Sequence, residues 1–402
     1  MKVLVIGGGA SGMMAALTTS DKHDVILLER QARVGRKLMA TGNGRCNLTN
    51  RNVTPANYHG ADAGFCRFAL ECFGMEDTLR FFEKLGLVCV TEPGGRVYPY
   101  SDSANSVVDV LRLTLEQSPR VRLVTGSEVV SLCRKKGRFL ATTAEESYEG
   151  DCAIVCAGGM AGGKLGGTDL GYRLLGAFGH TRTSLFPALV QLKTDNTYVR
   201  SLKGIRCDVF AEMSCGDKKI TGGGELQFTE YGVSGPVIFE LSRFASTAGQ
   251  PVYLFLDFLH SHTEGQLTEL LQRRQAAMPG LKAEDLLTGI LHNRLGRTIL
   301  RRCGCSLETL CGDLPTETIK HIVQCVKRFE LPVLGTMGLE HAQVTAGGIR
   351  TAEFCPDTLE SRLCRGLYAA GEVLDVDGDC GGYNLQWAWS SGHLAGELRG
   401  MK

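Results

Sequence analysis

The chain has 402 residues, 44 Lys and Arg against 43 Asp and Glu, and 43% hydrophobic residues. That length exceeds one compact core and predicts two or three domains. The charge balance excludes a general electrostatic pull toward nucleic acid or anionic membrane, and no apolar run reaches the ~18–20 residues that span a bilayer.

Residues 1–6 form a short apolar strand that runs into Gly7-x-Gly9-x-x-Gly12, with a helix-compatible stretch following at once. In such a turn the first glycine permits the bend and the second lets backbone approach a pyrophosphate. The third lets helix and strand pack closely. Phosphates then sit on the unpaired N–H groups of the helix N-terminus. A second strand, 24–28, ends at Glu29, where a carboxylate can accept hydrogen bonds from a ribose diol. A cleaved N-terminal signal is not expected, because its loss would remove the phosphate-binding strand and loop.

Residues 42–50 read as a polar, glycine-punctuated loop, and 65–86 as helices with Phe68, Leu70, Leu79, Phe82 and Leu85 on apolar faces. A strand over 120–130 suits the third parallel position. A hairpin near Leu140 leads to a buried strand, 151–156, which ends in Ala157-Gly158-Gly159. The glycine-rich run to Gly167 is expected to wrap the ligand of this same domain. Residues 188–258 alternate apolar and polar positions with turn signals, which predicts short antiparallel strands and a small barrel. From 263 to 330, leucines and isoleucines recur at helical spacing. The chain then returns to strands, and Leu367-Tyr-Ala-Ala-Gly371 ends in glycine. Glu372 and Asp375 follow, and Gly381-Gly382-Tyr383-Asn384-Leu385 opens a second helix.

The expected architecture is α/β. A Rossmann-like domain (1–187 and 335–402) is split by an antiparallel β domain (188–260 and 331–345) and a small helical domain (261–330). Trp387 and Trp389 are expected to pack the last helix. Sixteen cysteines occur without any Cys-x-x-Cys pair, which suits reduced, buried thiols in a cytoplasmic protein. The triplet Cys303, Cys305 and Cys311 fits no zinc or iron–sulfur spacing, so no metal is expected.

Five strings occur in order: Gly7–Gly12; Thr41-Gly-Asn-Gly-Arg-Cys-Asn-Leu-Thr-Asn50; Gly224-Glu-Leu-Gln-Phe-Thr-Glu-Tyr-Gly-Val-Ser-Gly-Pro236; Gln343-Val-Thr-Ala-Gly-Gly348; and Gly371–Gln386. Together they resemble the BaiN/RdsA family of NAD(P)/FAD-dependent oxidoreductases over essentially the whole chain. The resemblance implies a non-covalent FAD and reduction of conjugated C=C bonds, in 3-oxo bile acids or in a uracil of ribosomal RNA. Asn43, where family members often carry Gly, and Cys380, where Thr is frequent, depart from the pattern near the expected flavin. The residues assigned to the cofactor are Gly7, Gly9, Ala10, Ser11, Gly12, Glu29, Arg30, Lys37, Asn43, Gly44, Arg45, Cys46, Asn47, Val129, Ala157, Gly158, Gly159, Gly371, Glu372, Asp375, Gly381, Gly382, Tyr383, Asn384 and Leu385.

Hydride addition to a carbonyl-conjugated double bond requires an oxyanion donor and a proton donor. Tyr231 and Tyr383 are the phenols best suited to give a proton, and Arg45 is the candidate cation. Arg45, Asn47 and Asn384 also suit cofactor binding or turn formation. Thr229 and Ser234 lie in the inserted β region beside Tyr231. Cys46 has redox chemistry only if its thiolate is stabilised. No second nucleotide-binding glycine set occurs, so no permanent NAD(P)H domain is expected; NADH or NADPH is the expected electron donor, binding transiently, with another reductant as the alternative. The primary expectation is a reductase of a 3-oxo-Δ4 steroid or bile-acid-like small molecule. The alternatives are an RNA-modifying flavoenzyme that reduces uridine to dihydrouridine, a flavin-dependent amine or aminoketone oxidase, and a non-enzymatic redox sensor. Arg294, Arg297, Arg301 and Arg302 are the feature that favours RNA; the competing reading is a solvated helix face.

Overall fold

The computed structural model describes residues 1–401. Its chain forms two compact units, one comprising Met1–Pro187 and the segment from Leu339 onward, the other Ala188–Gly338.

The first unit is built on a five-stranded sheet. Its strands are β1 (Lys2–Ile6), β2 (Asp24–Leu28), β3 (Val121–Val124), β4 (Cys152–Val155) and β5 (Leu367–Ala369). The spatial order is β5-β4-β1-β2-β3, and every pairing is parallel. Parallel strands covered on both faces must be apolar throughout. Accordingly Val3 to Val5 and Cys152 to Val155 are fully buried. Two helices of this unit, α1 (Ala10–Ser20) and α2 (Tyr383–Gly396), lie against each other. They pack closely because the contact positions on α2 are glycines. A Cβ on Gly392 would fall 2.4 Å from Ser11 O, and one on Gly396 would fall 2.7 Å from Ala15 O. The expected hairpin near Leu140 extends to three antiparallel strands, Ser131–Lys135, Arg138–Thr142 and Ser147–Gly150.

The second unit holds a closed barrel. Its strands run in the order Leu192–Thr194, Gly232–Ser234, Lys218–Phe228, Arg206–Cys215, Val252–Asp257 and Phe329–Thr336. Three helices, Glu264–Ala277, Asn293–Arg302 and Thr316–Lys327, are inserted before the last strand. Their Leu267, Leu271, Ile299, Ile322 and Val326 join the barrel's Leu254, Leu256 and Phe329 in one hydrophobic core. No described helix is long and apolar enough to cross a membrane. All sixteen cysteines are free thiols. Among the described residues, no group of three or more His, Cys, Asp or Glu is placed to hold a metal ion.

Candidate functional site

Parallel strands deliver their exits to one edge. The turns after β1 (Gly7–Gly9), β2 (Glu29, Arg30), β4 (Ala157–Gly159) and β5 (Gly371, Glu372) therefore gather at the carboxyl ends of the sheet. The chain moves outward from β1 to β2 and β3, then crosses to the other side of β1 for β4. That change of direction is where open α/β sheets place their ligands.

The glycines of the first turn differ in their surroundings. Gly7 has φ +106°, and a Cβ there would lie 2.4 Å from Cys156 O. A Cβ on Gly12 would lie 1.8 Å from Gly7 O, so α1 and β1 touch only because it is absent. Gly9 is different: a Cβ there would meet no atom within 4 Å. Its backbone is extended (φ −78°, ψ −169°) and caps α1 without a side-chain hydrogen bond. The open space and the uncapped N–H groups of α1 make an anion cradle. Ala10 starts the helix, and Ser11 is buried, its Oγ turned toward Ala370 O at 3.5 Å.

Glu29 ends β2 with its carboxylate already organised. Oε2 accepts the Gly8 N–H at 2.6 Å and Oε1 accepts the Gln31 N–H at 2.7 Å. Arg30 donates to Gly166 O at 2.9 Å and lies 3.7 Å from Glu128, so it holds the glycine-rich loop beside this strand end. Val129 is core, 2% exposed. Lys37 pairs with Glu372 at 2.7 Å, and the other Glu372 oxygen accepts the Thr345 N–H at 2.8 Å. A Cβ on Gly159 would collide with that carboxylate at 2.8 Å, whereas Gly158 is open.

The 41–50 loop is unusually twisted. Gly42, Asn43, Gly44 and Cys46 all have positive φ, at 57°, 56°, 86° and 63°. Non-glycine residues in that region are strained, and such strain concentrates at ligand-binding turns. Arg45 is committed within the loop: Nε donates to Asp102, one Nη donates to Glu92 at 2.5 Å, and the guanidinium lies 4.1 Å from the Tyr98 ring centre. These contacts hold its cation more firmly charged and tie its Nε and one Nη to the loop. Cys46 is buried, and burial pushes its thiol up to about 12, so it carries no thiolate chemistry. Asn47 Oδ1 is buried without a hydrogen-bond partner. A polar atom left so costs roughly 1–3 kcal/mol.

α2 also begins without a side-chain cap, at Gly382 (φ 100°). A Cβ on Gly382 would lie 2.5 Å from Thr49 O and 2.9 Å from the lone Asn47 oxygen. Asn50 Nδ2 donates to Gly381 O at 2.9 Å. The orphaned amide oxygen thus sits at the N-terminus of α2. Tyr383, 9% exposed, is the first helical residue, and its carbonyl accepts the Tyr58 hydroxyl at 3.0 Å. The Asn384 side chain is spent on bracing the preceding loop, through Gly378 N–H (2.8 Å), Gly378 O (2.7 Å) and Asp379 O (3.2 Å). Leu385 is half-buried. Asp375, 3% exposed, accepts the Ala61 N–H at 3.2 Å. Both tryptophans pack α2, donating to Gly371 O at 3.1 Å and Leu48 O at 3.0 Å.

Tyr231, Thr229 and Ser234 belong to the second unit. Thr229 and Gly232 close the hairpin whose tip is Glu230-Tyr231, and Thr229 Oγ1 is buried without a partner. Two features of the first unit were not expected from the sequence. His59 binds Asp379 at 2.7 Å, next to a two-residue strand pairing of 58–59 with 377–378. Thr345 Oγ1 accepts the Ala161 N–H at 2.9 Å and so pins the glycine-rich loop. A threonine inside the Gln343–Gly348 string is the one signal that could have found the second.

The family described as "HI0933-like protein Rossmann domain" matches residues 1–398. The chain belongs to that family. The 3-dehydro-bile acid delta(4,6)-reductase of Clostridium scindens is 37% identical over 98% of this chain and 98% of its own. The ribosomal RNA dihydrouridine synthase of Haemophilus influenzae is 29% identical over 97% and 96%. A quinol–fumarate reductase solved with menaquinol molecules aligns with 100% of this chain and 70% of its own, at 16% identity and TM-score 0.50, a likeness of fold alone. This HI0933-like chain is an oxidoreductase with the fold of a flavoprotein.

Proposed function

We propose that the chain is an FAD-dependent reductase of a carbonyl-conjugated C=C bond in a 3-oxo-Δ4 bile-acid-like small molecule, with NADH or NADPH as electron donor and a cytoplasmic location. The observation that carries the substrate class is the 37% identity, spread over 98% of both chains, to a 3-dehydro-bile acid reductase. The residues present fit the cofactor. Two glycine-capped helix N-termini, the open cradle at Gly9 and the orphaned Asn47 oxygen are what an anionic, ring-bearing dinucleotide needs. When bound, FAD supplies hydride chemistry at its ring.

The chain's own residues then have separable tasks. Gly9, Ala10 and Ser11 hold phosphate, and Glu29 accepts from the ribose hydroxyls. Lys37, Glu372 and Asp375 would hold the ribityl or phosphate part of the cofactor. The Asn47 oxygen would accept a hydrogen bond from it. The N–H groups at Gly382 and Tyr383 stabilise negative charge beside α2. Tyr383 is the candidate proton donor to the substrate α carbon. Arg45 anchors the strained loop through Glu92 and Asp102 and does not itself react.

A second reading, reduction of uridine in ribosomal RNA, is favoured by the 29% identity to the dihydrouridine synthase. The arginines of the helix Asn293–Arg302 weigh against it. Arg294 donates to Ser201 O, Arg297 lies 3.2 Å from Glu284, and Arg302 stacks on Phe329 at 4.3 Å, so three of them serve the protein itself. Anaerobic reduction of the purified protein by NADH or NADPH, then reoxidation by a 3-oxo-Δ4 bile acid with formation of the saturated product, supports the first reading. Reoxidation by ribosomal RNA alone supports the second, and reoxidation by oxygen alone rejects both in favour of an oxidase.

A further inference from the structure

Tyr172 lies on the short helix Leu170–Gly176, which is seated on the carboxyl edge of the sheet. A Cβ on the neighbouring Gly171 would fall 2.7 Å from Val373 and 3.2 Å from Ala157, so this helix is pressed against the turns that follow β5 and β4. Tyr172 is 6% exposed, and its hydroxyl is buried with no hydrogen-bond partner. Burial first, then the Glu372 and Asp375 carboxylates, raises the phenol and keeps it neutral, with Arg182 opposing. It is therefore a hydrogen-bond donor without an acceptor.

The carboxylates in its neighbourhood already have other donors. Glu372 accepts from Lys37 and from the Thr345 N–H, and Asp375 accepts from the Ala61 N–H. Buried phenols nearly always find a partner, and a position that required packing alone would be served by Phe. The sheet edge supplies no such partner, and this is where the cofactor's acceptor oxygens are expected. We propose that the Tyr172 hydroxyl is a further contact of the nucleotide site, donating a hydrogen bond to an acceptor oxygen of the bound flavin cofactor beside Glu372 and Asp375. The assignment rests on the reading of this edge as an FAD site.

The test is FAD titration of the apoprotein, followed by flavin fluorescence, together with unfolding midpoints of the apo and FAD-loaded forms, for wild type and Tyr172→Phe. The expected result is an FAD dissociation constant raised about three- to tenfold. The apo midpoint stays level or rises, because an orphaned donor has been removed, while the loaded midpoint falls. Tyr172→Met, which removes the hydroxyl with a flexible filler, repeats the affinity loss if the isosteric variant folds poorly. Unchanged FAD affinity overturns the proposal. So does equal destabilisation of both forms, the signature of a trapped water or a protein partner. A wild-type chain that binds no FAD overturns the cofactor reading itself and is distinguishable at once.

Discussion

At the residue scale, neighbouring glycines in one turn separate folding from binding. Gly12 exists because Gly7 O leaves no room for a side chain, at 1.8 Å from where a Cβ would stand. Gly9 is under no such constraint: its backbone is extended and its surroundings are open, which is the room the proposed FAD site requires. Gly12→Ala is therefore expected to cost more than ~3 kcal/mol in urea unfolding of the apoprotein. Gly9→Ala should leave that stability within ~0.5 kcal/mol and weaken FAD binding at least tenfold by titration. Equal effects of the two would show that the cradle is packing and not a site. Cys46 makes a second contrast. With its buried thiol near 12, iodoacetamide at pH 8 should leave it unmodified in native protein, as peptide mass analysis would show, and Cys46→Ala should retain flavin reduction. The glycine turn and Glu29 were legible because their residue types and spacing carry the mechanism. Asn47 was legible as polar, but not as unpartnered. Tyr172 was not legible at all, since a sequence records a hydroxyl and never the missing acceptor.

At the element scale, α2 is fixed to the rest of its unit by a buried amide. Gln386 accepts from Thr49 at 2.6 Å, and its Nε2 reaches Thr78 Oγ1 (2.9 Å), Ser390 Oγ (2.9 Å) and Phe73 O (3.2 Å). Gln386→Leu would strand the Thr49 and Thr78 hydroxyls, while Ser390 Oγ keeps its 2.6 Å bond to Phe73 O, and it should cost about 2–4 kcal/mol in equilibrium unfolding. A loss below ~1 kcal/mol would mean the network is dispensable. The far half of the helix carries a pH-sensitive contact. His393 binds Thr18 Oγ1 at 3.1 Å and stacks on Phe73 at 4.3 Å, and burial lowers its pKa below the usual 6.5. The unfolded chain then takes up a proton before the folded one does. Stability is complete above pH 6.5 and falls as pH drops from there toward the lowered folded value. Thermal midpoints from pH 7.5 to 5 should show that decline in wild type and a flatter profile in His393→Gln. Continuous apolar runs such as Cys152–Val155 announced their parallel strands. The pairing of 58–59 with 377–378 did not, because it joins dipeptides more than three hundred positions apart with no periodicity of their own.

At the scale of the whole molecule, 44 basic against 43 acidic side chains leave almost no net charge to gather a polyanion. The arginines of the helix Asn293–Arg302 are largely consumed internally, through Ser201, Glu284 and Phe329. Retention on ribosomal RNA should accordingly disappear by ~0.15 M salt, and persistence there would favour the RNA reading. Alternation over 188–258 and helical spacing over 263–330 were visible in the sequence. The shared core of barrel and helices was not, since periodicity names a buried face without naming what covers it. The proposed activity is tested most sharply by anaerobic reoxidation of the reduced, FAD-loaded protein with a 3-oxo-Δ4 bile acid. The expected result is saturable return of the yellow oxidised spectrum, with one saturated product formed per flavin. A flavin that stays reduced with the bile acid, yet is reoxidised by ribosomal RNA or only by oxygen, would rule that activity out.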